Sequence, residues 1–178
     1  MDRLIPPDPE TPGGKDIGCA VFIDRQLASP YGRFEDHYMK GPFHAGTKEQ
    51  GDQSPLTPAQ HYRRALAALD KYCRGNFSGS AFAQLPDERK DDVLKGLEAG
   101  TTRLDDVDGV SFFKLLLMDT QHGFFADPVY GGNKDMAAWK MIGFPGARYD
   151  YRDWVHRHNE RFPLPPIGIR DHPTWKVE

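Results

Sequence analysis

Residues Gly109–Phe125 gather Val110, Phe112, Phe113, Leu115, Leu116, Leu117 and Met118 without a proline and without period-two alternation. Wound at 3.6 residues per turn they leave almost no polar face, so the segment has to be covered on more than one side and is predicted to be the central helix. The rest of the chain offers amphipathic partners for it. In residues 15–29, Ile17, Ala20, Val21, Phe22, Ile23 and Leu27 recur at three- and four-residue steps before Pro30, a helix that stops where its backbone donor is lost. Thr57 stands as an N-cap with Pro58 at the first helical position. Tyr62, Leu66, Leu69 and Cys73 then form one stripe, ended by Gly75 and Asn76. Pro86, Asp87 and Glu88 open another helix, with Val93, Leu94 and Leu97 as a narrow apolar face. Shorter helices are expected in residues 31–40, 134–142 and 149–158, and no strand pattern or internal repeat is seen. The predicted class is all-α, with about five to seven helices and long Gly/Pro-rich loops.

At 178 residues the chain can bury a substantial core without disulfides or metals. It reads as a single domain over residues 1–178: an extended arm over 1–14, a helical body over 15–158 and an extended Pro-rich arm over 159–178, where Pro163, Pro165, Pro166 and Pro173 prevent regular helix. Residues 46–55 form a polar loop. With 23 Lys and Arg against 26 Asp and Glu, mixed along the sequence, the chain has no field to attract nucleic acid. Its apolar runs, Leu115 to Met118 among them, are all far shorter than a bilayer-spanning helix requires. The first residues lack the basic start and apolar middle of an export signal.

Catalytic patterns are sparse. His156 and His158, two apart, fall on different faces of a helix and lack a ligand partner at three or four residues. Asp119 and His122 are three apart, close enough for a carboxylate to orient an imidazole for proton transfer; the simpler reading is that they hydrogen-bond with each other and nearby backbone. Cys19 and Cys73 are read as two buried inert thiols, with a bridge between their helices as the alternative. CxxC, HExxH, GxSxG and phosphate-loop motifs are absent, and Gly131-Gly132 has neither the preceding strand nor the glycine spacing of a nucleotide site. The conspicuous feature is the density of rings on Gly/Pro-rich backbone: Phe124, Phe125, Tyr130, Trp139, Phe144, Tyr149, Tyr151 and Trp154. Such rings either close a core or give another protein a large, rigid contact surface. The stiff C-terminal arm, which can bury little against its own domain, favours the second use.

Two blocks, GFFADPVYGGNKDMAAWKMIGFPG over residues 123–146 and DRLIPPDPETPGGKDIGCAVFIDRQL over residues 2–27, resemble the gluconate 2-dehydrogenase subunit 3 family. Lys134, Ala138 and His122 are modest departures from its pattern. The resemblance implies a non-catalytic small subunit, carrying no cofactor of its own, that accompanies a large FAD-containing flavoprotein of the glucose-methanol-choline type. That partner oxidises a hydroxyl of a sugar or sugar acid and commonly passes electrons to a cytochrome c. The small subunit is expected to help its partner fold or be exported, through a twin-arginine leader of its own, which implies a periplasmic location and a mature or trimmed form for a chain starting so near this segment. On this reading Tyr130, Trp139, Phe144 and Trp154 are contact or scaffold anchors, and Gly131, Gly132 and Gly146 are needed for positive-φ or close-packed backbone. Asn133 and Asp135 cap the short helix, and Pro145 completes the partner-facing set. The alternatives are an export chaperone that leaves after delivery, and a small stand-alone enzyme using Asp119 and His122.

Overall fold

The computed structural model describes residues 1–51 and 53–171. Among the described residues six α-helices follow in order: α1 Cys19–Ala28, α2 Pro30–Arg33, α3 Pro58–Asn76, α4 Asp87–Glu98, α5 Gly109–Phe125 and α6 Ala137–Ile142. Among the described residues there is no strand, only two isolated bridges, Leu104 with Val107 and Gly146 with Ile167. The class is all-α, as the periodicities require. The described residues group into two compact units, residues 26–117 and residues 1–25 with 118 onward.

In the unit of residues 26–117, α3 begins where the sequence places it. Thr57 Oγ1 accepts from the Gln60 amide at 3.4 Å, and Gln60 Oε1 accepts from the Thr57 amide at 2.9 Å, a reciprocal capping box behind Pro58. The buried face of α3 is Ala59, Tyr62, Ala65, Leu69 and Cys73. Leu66, predicted on that stripe, is 49% exposed, since a stripe of this width fills its covered side with Ala65 instead. Tyr62 meets Phe112 of α5 edge to face, centroids 5.8 Å apart. Val93, Leu94 and Leu97 give α4 its buried face, and Lys71 is tied to Asp105 at 2.6 Å. Asp108 starts α5, accepting from the Val110 and Ser111 amides at 3.0 and 3.2 Å and from the Ser111 hydroxyl at 2.6 Å; these bonds hold its carboxyl below the usual range. Residues 31–40 yield only the last three residues of α2, which is capped at Phe34 with φ +51°.

In the other unit the core is Ile17, Cys19, Phe124 and Ala138, with Met1, Ile5 and Ala137 packed against it. Residues 1–14 therefore do not run as an extended arm. Met1 O accepts from the Leu4 and Ile5 amides, and Ile5 O from the Gly14 amide, while Asp2 accepts from the Lys15 amide at 2.7 Å. The apolar Met1 and Ile5 turn inward because the burial they gain outweighs the ordering of a short, proline-stiffened loop. The expected helix of residues 149–158 shrinks to one 3-10 turn, Arg152–Trp154. Cys19 and Cys73 are free and fully buried. Burial pushes both thiols up, that of Cys19 to about 11.

Candidate functional site: an aromatic surface on irregular backbone

The stretch from Asp127 to Gly146 is built on α5. Asp127 precedes Pro128 and accepts from the Val129 amide at 2.9 Å, starting a 3-10 turn that closes at Gly131, φ +106°. Gly132 then lies directly on the end of α5. A Cβ there would sit 1.9 Å from the Gly123 carbonyl oxygen, so only glycine permits this approach. Asn133, fully buried with φ +45°, ties the loop at both ends. Its Nδ2 donates to Ala126 O and its Oδ1 accepts from the Ala138 amide, both at 2.9 Å. Asn133 thus caps α6 as expected. Asp135 does not share that role: it lies exposed, φ +57°, in the left-handed kink that separates the 3-10 turn from α6.

Trp139 is buried to 6% exposure and its Nε1 donates to Phe125 O at 2.8 Å. Phe144 stands edge-on to it, centroids 5.2 Å apart, yet is 44% exposed. One indole therefore ties the backbone of Phe125 and packs against the ring of Phe144, two residues whose rings are exposed, and α6 carries exposed Met141 and Ile142. Tyr130 is 48% exposed on the preceding turn. Among the described residues, Tyr31, Tyr38, Phe43 and Leu66 are the large exposed apolar side chains of residues 26–117, whereas the other unit shows ten: Val21, Met118, Phe125, Tyr130, Met141, Ile142, Phe144, Tyr149, Val155 and Leu164.

The predicted partner-facing set thus divides. Tyr130 and Phe144 present rings to solvent, with half-buried Pro145 following Phe144, whereas Asn133, Trp139 and the backbone of Gly131, Gly132 and Gly146 support that surface from beneath. Trp154 is half-buried, edge-on to Phe162 at 5.1 Å with the Arg157 guanidinium over its ring at 4.7 Å. The C-terminal arm, expected to lie free for a partner, is drawn back over residues 162–171. Ala147 donates to Ile167 O at 2.8 Å, Arg148 Nη2 to Pro165 O at 2.8 Å, and the Ile169 amide to Asp127 Oδ2 at 2.7 Å. These bonds satisfy extended backbone that the prolines exclude from helix. Residues 172–178, with Pro173, lie outside the described residues.

The Asp119 and His122 pair ends α5 with a half-buried carboxylate and an exposed imidazole. Among the described residues no group of three or more His, Cys, Asp or Glu is placed to hold a metal ion, and no helix is long and apolar enough to cross a membrane. In residues 26–117 a cavity of about 850 Å³ opens between residues 43–56, the start of α5 and α3, with Phe43, His61, Arg64, Asp106 and Phe112 among its walls.

Sequence reasoning missed Met141 and Ile142 as surface residues, because exposure is not encoded in residue type. It also passed over Asp127, whose Asp-Pro pair repeats the start signal read at Thr57-Pro58.

The described residues form a helical scaffold that carries exposed rings on irregular backbone between α5 and the end of α6 and just beyond it. The chain belongs to the gluconate 2-dehydrogenase subunit 3 family, whose model matches residues 1–146. It is thereby related to a subunit of a dehydrogenase complex. No curated protein and no solved structure matches it.

Proposed function

We propose that this chain is a non-catalytic small subunit that binds and stabilises an FAD-dependent dehydrogenase of the glucose-methanol-choline type, one that oxidises sugars, sugar acids or glycosides. The reading is carried by the concentration of exposed Tyr130, Phe144, Phe125 and Ile142 on backbone fixed by Asn133 and Trp139. Exposed rings held rigid lose little freedom on binding, so their contact area converts into affinity rather than into ordering cost. Membership of a dehydrogenase-subunit family supports the same partner class. The flavin sits in the large chain, a cytochrome c takes its electrons, and the complex works in the periplasm.

The test is expression of the large subunit with and without this chain. Flavin content and dye-linked dehydrogenase activity are expected to fall severalfold without it. Equal flavin loading and activity in both preparations would refute the stabilising role.

A further inference from the structure

The family match ends at Gly146, and the next residue begins a segment that folds back onto residues the match contains. Resting on the accessory-subunit reading, we propose that residues 147–171 are a strap, latched by Asp127, that carries part of the surface covered by the flavoprotein subunit and holds the rest in place.

Asp127 is the latch because its two oxygens serve two segments. Oδ1 accepts from the Val129 amide at 2.9 Å and fixes the turn that presents Tyr130; Oδ2 accepts from the Ile169 amide at 2.7 Å and fixes the strap. The second fastening is Gly146, φ +77°, paired with Ile167. A Cβ on Gly146 would lie 2.1 Å from Ile167 O, so strap and loop touch backbone to backbone. Arg148 completes the attachment, bonding Pro165 O at 2.8 Å with its guanidinium 5.6 Å from the Phe162 ring centroid.

Fastened in this way, the strap lies against Pro145 and Gly146 and carries exposed apolar groups of its own, Tyr149 at 67% and Leu164 at 52%. Residues 147–171 carry five arginines and four acids, with Arg152 paired to Asp150 at 2.6 Å. The strap therefore has little net field, and the partner face that fits it is apolar rather than charged. Membership of a dehydrogenase-subunit family supports another chain of such a complex as that partner.

The experiment uses the full chain co-expressed with the large flavoprotein subunit. Asp127→Asn can satisfy only one of the two amides, so amide exchange at Ala147, Ile167 and Ile169 should quicken about tenfold, and the dissociation constant should rise about tenfold, as losing one charge-assisted bond implies. Leu164→Glu and Tyr149→Glu leave the latch intact and, being on exposed side chains, do not threaten folding; each is expected to weaken the complex to a similar degree. Released amides with unchanged affinity would overturn the docking role. Unchanged amide protection in Asp127→Asn would overturn the latch. Failure of the wild-type chain to bind at all would instead refute the accessory-subunit reading, and with it the docking role of the strap.

Discussion

Replacing Asn133 by alanine tests the scaffold beneath the aromatic surface. The side chain is fully buried, and its loss leaves the Ala126 carbonyl and the Ala138 amide without their 2.9 Å partners. Each abandoned group costs about 1–3 kcal/mol. Alanine at φ +45° adds about 1 kcal/mol more, because asparagine tolerates the left-handed region and alanine does not. The sum is about 3–7 kcal/mol, against a total stability of about 5–15 kcal/mol for a typical native protein. For a chain of this length the melting temperature should fall by roughly 10–20 °C. Thermal unfolding followed by near-ultraviolet circular dichroism measures it. Asn133→Gly keeps the backbone conformation without the bonds and should melt above Asn133→Ala. A melting temperature for Asn133→Ala within about 2 °C of wild type would refute the two-ended tie.

Further outcomes follow from the same geometry. Gly132→Ala should yield little folded protein, because its Cβ meets the Gly123 carbonyl at 1.9 Å; Gly75→Ala, with nothing within 4 Å in helix α3, should stabilise by about 0.5–1 kcal/mol in denaturant titration. Asp108→Ala should destabilise by about 1 kcal/mol through loss of the α5 cap. Since the Asp108 carboxyl lies below its ordinary value in the folded chain, its contribution is complete above the unfolded-state pKa of about 3.9 and fades as pH falls through the lower folded one. Asp108→Asn should flatten that acid limb in melts between pH 5 and about 2.5. With the thiol of Cys19 pushed up to about 11 and Cys73 buried, neither cysteine should react with a disulfide reagent at about pH 8 until the chain is unfolded; rapid native labelling of either would contradict their burial.

Much of the helical body was legible. Thr57-Pro58, Pro86 with its acids, and the uninterrupted apolar run from Val110 announce their elements because capping and periodicity are local properties, readable without knowing what packs where. The aromatic segment resisted for the opposite reason. Trp139 and Phe144 are both rings five residues apart, and what buries one and exposes the other is a bond to Phe125 O and the course of a loop set by Gly132 and Asn133. The two ends of the chain were misread on similar grounds. Proline content keeps both ends out of long helix, but whether such backbone floats or docks depends on distant acceptors, here Asp2 for Lys15 at one end and Asp127 for Ile169 at the other. The family resemblance rested on two blocks totalling less than half of the chain, and the match over residues 1–146 extends it through the helices between them.

The account turns on whether a flavoprotein covers the exposed rings. Hydroxyl-radical footprinting of the chain alone and of the co-purified pair reads this directly. Oxidation of Tyr130, Phe144 and Tyr149 should drop severalfold in the pair, while Tyr38, exposed in the other unit, stays unchanged. Equal labelling of all four residues in both samples would contradict it.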